Sequence, residues 1–143
     1  MSLSRIDFYI VGGTGLLARE HAACRLVEKA WLKNHRVYVH TNSPDDVQAM
    51  DELLWTFRQN SFVPHARSPA SPDDPVRVLI GHGRRPDNES DVLINLTETV
   101  PDFFTQFDRV AEFVDGTERA RARGRERYRQ YRDHGCAIES HDV

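Results

Sequence analysis

Arg5 to Thr41 reads RIDFYIVGGTGLLAREHAACRLVEKAWLKNHRVYVHT, and this stretch decides the fold. Arg5 to Val11 combines β-branched and aromatic residues and stops at Gly12-Gly13-Thr14-Gly15, which predicts a buried strand running into a glycine turn. Leu16, Ala23, Leu26, Val27 and Ala30 then fall on one stripe of a helix predicted over Leu16 to Lys33, with Asn34 as its stop. Arg36 to Thr41, RVYVHT, returns to strand chemistry. Two strands joined by a helix at this spacing form a βαβ unit, which requires a parallel sheet.

Downstream elements extend the same alternation. Ser43-Pro44-Asp45-Asp46 supplies an N-cap, a proline at the first helical position and two carboxylates at the positive end of the helix dipole. Val47, Met50, Leu54 and Phe57 make the core stripe of that second helix, and Trp55 falls off it. Arg67 to Pro75 carries three prolines and predicts a loop. Val76 to Ile80 and Asp91 to Leu96 read as strands, with the polar stretch 81–90 between them. Pro101 to Phe107 predicts a short helix packed through its phenylalanines, and Arg109 to Val114 a fifth strand. The expected architecture is one α/β domain over residues 1–143: a Rossmann-like three-layer sandwich around a mainly parallel five-stranded sheet, closed by an arginine-rich helix.

The chain has 143 residues, is 39% hydrophobic and 29% charged, and has a net charge of −3. These values fit one soluble domain able to bury a core. No run reaches the ~18 apolar residues of a membrane span, and MSLSRIDFYIVGG lacks the features of a secretory leader, so the expected location is cytoplasmic with no membrane partner. Cys24 and Cys136 stand far apart and imply neither a disulfide framework nor a zinc site.

Against this acidic background, Thr117 to Asp133, TERARARGRERYRQYRD, holds seven arginines. At 100° per residue, Arg121, Arg125, Tyr128 and Arg132 fall within a band roughly 60° wide. Ala120, Gly124 and Tyr131 form the adjacent seam suited to packing, and Arg119 and Arg123 point outward. Planar guanidinium forks around one ring suit carboxylates beside an aromatic anchor, and an ordinary solvated face is the alternative.

Catalytic chemistry is thinly supported. The glycine turn lacks GxGxxG spacing, because Ala18 stands where the third glycine belongs, and His40-Thr41 stands where a ribose-binding acid should be. Seven histidines include no HExxH, and His82 in Gly81-His82-Gly83 has no matching nucleophile turn. No catalytic residue, metal or cofactor is expected. Asn60 to His65, NSFVPH, is the remaining anomaly, because its apolar residues follow neither strand nor helix periodicity. Together with Trp55 it predicts either core or an exposed anchor for a protein partner.

DELLW at Asp51 to Trp55, SFVPH at Ser61 to His65, DVLINL at Asp91 to Leu96 and RERYRQYR at Arg125 to Arg132 occur in the order seen in one known family. Through nearly its whole length the chain resembles the chi subunit of the bacterial DNA polymerase III holoenzyme. The resemblance implies a non-catalytic accessory protein of the clamp loader, linking the psi subunit to the acidic C-terminal tail of single-stranded-DNA-binding protein. It implies tail binding at Val114, Arg121, Arg125 and Tyr128, psi binding at Trp55, Phe62, Val63 and Pro64, and only indirect contact with nucleic acid. Two other readings compete: a nucleic-acid binder using the same arginines, and a Rossmann-type nucleotide-binding enzyme.

Overall fold

The computed structural model describes residues 4–12, 17–68, 76–83, 86 and 91–143. Along the chain run β1 (Arg5–Ile10), α1 (Ala18–Leu32), β2 (Val37–Thr41), α2 (Pro44–Thr56), β3 (Ala66–Arg67), β4 (Val78–His82), β5 (Val92–Asn95), a 3-10 turn (Phe104–Gln106), β6 (Arg109–Val114), α3 (Glu118–Asp133) and β7 (Ala137–Asp142). The strands form one sheet in the order β3-β4-β2-β5-β6-β1-β7, and each of its pairings is parallel.

Residue alternation divides the core between the two faces. Val37, Val39, Val78, Ile80, Ile94 and Phe113 meet α1 and α2, whereas Ile6, Phe8, Leu93, Val110 and Val114 meet Tyr131 of α3 and the phenylalanines around the 3-10 turn. Central β2 is buried at every position, as a strand covered on both faces must be. The caps are as the sequence predicts for α2: Ser43 Oγ accepts from the Asp46 N–H at 3.2 Å, and Pro44 begins the helix. Asn34 ends α1 with a φ of 67°, a left-handed conformation that asparagine tolerates. No helix among the described residues is long and apolar enough to cross a membrane.

Three expectations need correction. The sheet has seven strands rather than five. Two-residue β3 ends on Arg67, the first residue of the expected proline-rich loop, and is too short to show a period. β7 is a largely exposed edge strand whose sequence, AIESHD, gives no apolar alternation. The third expected strand is displaced by two residues, so Gly81 and His82 lie within β4. Gly81 is required there because a Cβ would collide with the Tyr38 hydroxyl lying across it. Gly13 to Gly15 of the expected glycine turn and the whole of the stretch 69–75 fall outside the described residues.

On the α1 side, β7 is stitched to the sheet by charge. Arg5 donates to Glu139 at 2.7 Å, His141 donates to Asp7 Oδ1 at 2.9 Å, and Arg109 donates to Asp7 Oδ2 at 3.1 Å. Burial acts to raise the Asp7 pKa, but His141, Arg109 and Arg5 outweigh it and hold the carboxyl below its ordinary value.

Candidate functional site

Register brings the first part of the site together. Ile10 pairs with Val114 and Phe8 with Ser140, so the upper half of β1, the end of β6 and the middle of β7 present one patch of side chains to the α3 face. Helix α3 crosses beside this patch. Between them runs a groove of about 280 Å³ lined by Phe8, Ile10, Val114, Arg121, Gly124, Arg125, Tyr128 and Ser140. Its floor is apolar, and the Tyr128 ring lies 5.6 Å from that of Phe8. The four expected tail-binding residues thus line one groove, joined by Phe8, Ile10 and Ser140, which the helix sequence alone does not reveal.

Close approach of α3 depends on Gly124, because a Cβ there would sit 2.8 Å from Val114 Cγ2. Its orientation depends on a buried polar network. Glu112 has no exposed surface and accepts from Arg127 Nε at 2.8 Å, Asn95 Nδ2 at 2.8 Å and the Tyr131 hydroxyl at 2.6 Å. A second Arg127 nitrogen donates to the Glu98 carbonyl at 3.1 Å. Burial pushes the Glu112 pKa up, while Arg127, Asn95 and Tyr131 oppose it. Each carboxylate oxygen has a donor, so the network fixes both the rotation and the height of the helix.

The pairing of the seven arginines sorts them by role. Arg127 binds Glu112, Arg119 binds Glu98 through two nitrogens at 2.9 and 3.0 Å, and Arg123 stands near Glu98 and Glu126. Arg132 stands 3.8 Å from Asp133 and does not line the groove, although its helical angle places it on the same face. No ion pair or side-chain hydrogen bond engages Arg121, Arg125 or Arg129 among the described residues. The two cations at the groove rim therefore keep their full capacity for a carboxylate.

Trp55 and Phe62 form a second exposed feature at 44% and 67% relative exposure, with ring centroids 5.4 Å apart. Pro64 beside them is half-buried. Val63 departs from the expectation: it is fully buried in the core, offers no surface to a partner and anchors the segment instead. Glu28 of α1 secures the same segment through Ser61 and Arg58.

Other candidate chemistry finds little support among the described residues. The crevice between α1 and α2 at the carboxyl edge of the sheet, where a nucleotide fold binds phosphate, is lined by Glu20, Asp46 and Glu52 against Arg19, which is already paired with Glu20 at 2.8 Å. Those charges repel a phosphate. Asp7, Glu139 and His141 approach metal-ligand spacing, but Arg5 and Arg109 occupy both carboxylates. Cys24 is buried and its thiol is pushed up to about 12 by desolvation, which removes the reactive thiolate.

Fold and site together define a parallel α/β domain that displays an apolar groove with a cationic rim. The chain belongs to the family described as DNA polymerase III chi subunit, HolC, whose model matches residues 3–139. It is 39% identical to the DNA polymerase III subunit chi of Pseudomonas aeruginosa over 139 residues, covering 97% of this chain and 96% of that one. It is 32% identical to the Haemophilus influenzae subunit chi over 138 residues, covering 96% of each. For the Escherichia coli subunit chi the identity is 32% over 127 residues, covering 88% of this chain and 86% of that one. Among solved structures, T4 UvsW superposes with a TM-score of 0.69 at 11% identity, covering 97% of this chain and 41% of that one, a likeness of fold alone. Family membership makes the chain an accessory subunit of DNA polymerase III with a role in DNA replication.

Proposed function

We propose that the chain is a non-catalytic adaptor of the clamp-loader assembly, joining the psi subunit to the acidic C-terminal tail of single-stranded-DNA-binding protein. The observation that carries the reading is the groove in which Arg121 and Arg125, free of internal carboxylates, border an apolar floor of Phe8, Ile10 and Val114. Such a groove suits a peptide end that combines an apolar ring, a free carboxylate and upstream acids. Arg125 takes the terminal carboxylate, Arg121 takes upstream carboxylates, and Tyr128 and Val114 wall the ring. Trp55 and Phe62, with Pro64 beside them, form the surface for psi, held in place by buried Val63.

Charge-assisted contacts at an exposed rim are screened by salt. Titration of a short acidic peptide ending in Asp-Ile-Pro-Phe should therefore give an affinity that falls as ionic strength rises. An affinity independent of salt would contradict these roles. Single-stranded polynucleotide tests the competing use of the arginines: displacement of the peptide at micromolar polynucleotide would favour a nucleic-acid binder.

A further inference from the structure

The crevice between the start of α1 and α2, whose charges repel a phosphate, encloses about 330 Å³ and has a mostly apolar surface. Buried Met50 and Leu96 form its bottom, and half-buried Leu53 with exposed Leu17 and Ala49 form its walls. Leu17 is 43% exposed and holds a φ of 64°, a left-handed conformation rare for a bulky side chain. It belongs to neither core cluster, so packing within the chain does not offset that conformation. Charge surrounds this floor. Asp46 and Glu52 are exposed on α2, and no ion pair engages either of them among the described residues. Glu20 and Arg19 pair with each other and nearly cancel. The positive end of each helix adds about half a charge, which Asp45 in the first turn of α2 helps to offset. The crevice therefore stays negative. In sign it is the reverse of the α3 groove, where free guanidinium groups border an apolar floor.

We propose that this crevice is a docking site for a protein segment that sets an apolar side chain between lysine or arginine residues. The apolar side chain enters between Leu17 and Leu53, covers Leu17 and meets Met50, whose unbranched thioether adapts to the shape packed against it. The cationic stems lie along the walls and carry their charged heads to Asp46 and Glu52, as long cationic side chains do. Nucleic acid and anionic lipid are repelled by the same carboxylates. A small polycation matches the rim but leaves the apolar floor in water. Shape, polarity and charge together select a protein. The inference does not rest on the adaptor reading, because no residue of the α3 groove and neither Trp55 nor Phe62 lines this crevice.

The test follows the ε-methyl carbon-13 signal of Met50 in the full chain, whose other methionine is Met1. The probes are acetyl-Lys-Leu-Leu-Lys-amide, acetyl-Gln-Leu-Leu-Gln-amide and spermidine. The expected result is a saturable shift of the Met50 signal with the lysine peptide at millimolar concentration, with an affinity that falls as salt rises. The glutamine peptide should bind roughly ten-fold more weakly. Asp46→Asn combined with Glu52→Gln should bring the two peptides to within about two-fold of each other. The comparison of peptides needs only the unaltered chain, so it decides the matter if the double variant fails to fold. An unmoved Met50 signal, equal binding of the two peptides, or a preference that survives the double substitution overturns the inference. Spermidine that binds as tightly as the lysine peptide also overturns it, and makes the crevice a site for small polycations.

Discussion

Removing Arg127 should be among the most damaging single changes available in α3, although six other arginines surround it in sequence. Its side chain is 5% exposed and faces Glu112, which has no exposure at all. Arg127→Ala leaves that carboxylate in the core with two neutral donors, Asn95 and Tyr131, and removes the hydrogen bond to the Glu98 carbonyl. Breaking a buried pair by deleting one partner costs about 3–5 kcal/mol, against a total of about 5–15 kcal/mol for a domain. With a urea slope of about 1–3 kcal/mol per molar, the unfolding midpoint should fall by roughly 1 M or more. The deficit also depends on pH. Burial already pushes the Glu112 pKa up, and loss of the guanidinium pushes it further, so the variant's folded state holds a proton that its unfolded state releases. Stability lost in this way grows as pH rises and is recovered as pH falls. Arg129→Ala is the control, because Arg129 is exposed and makes no ion pair among the described residues. A midpoint for Arg127→Ala within about 0.3 M of the control, or a deficit that does not change with pH, would refute the assignment of this pair as the anchor of the helix.

Gly124→Ala places a methyl 2.8 Å from Val114 Cγ2, so the helix must lift and stability should fall by about 1–3 kcal/mol, as thermal unfolding would show, with weaker peptide binding in the altered groove. Phe62→Ala should change stability by no more than about 0.5 kcal/mol, because the ring is 67% exposed, while psi binding measured by calorimetry is lost. Asp7→Asn tests the stitching of β7: the pKa of Asp7 is held low by His141, Arg109 and Arg5, so its stabilisation is present above the ordinary aspartate value and disappears as pH falls. Urea midpoints of wild type and variant should therefore differ at neutral pH and converge well below about pH 4.

The layered fold was readable because its elements are locally consistent: glycine and proline punctuation, Ser43 as a cap, and helical stripes ending in asparagine all point the same way. Strand count was not readable at the edges. β3 is only two residues at the start of a proline-rich tract, and β7 makes ion pairs with β1 that are remote in sequence. The α3 half of the groove followed from helical spacing. Phe8, Ile10 and Ser140 did not, since nothing local says which strand lies under the helix. The buried network had a signal that helical spacing alone could have used: Glu112 interrupts the apolar strand RVAEFV, and Arg127 continues the seam of Ala120, Gly124 and Tyr131 at three- and four-residue steps. Helical angle also placed Arg132 beside the groove, but at the far end of α3 it stands beyond the lining and next to Asp133. Val63 was grouped with its neighbours Phe62 and Pro64 because an irregular segment gives no period from which to tell inward from outward.

The most direct test of the adaptor account is calorimetric binding of the acidic peptide ending in Asp-Ile-Pro-Phe to the wild-type chain and to Arg125→Ala, with Arg119→Ala as a control whose guanidinium is already engaged by Glu98. Loss of a charge-assisted pair of about 1.5–3 kcal/mol predicts binding weakened by roughly one to two orders of magnitude in Arg125→Ala and left nearly intact in Arg119→Ala. Equal weakening in both variants would reduce the groove to non-specific basicity, and undiminished binding in Arg125→Ala would contradict the account.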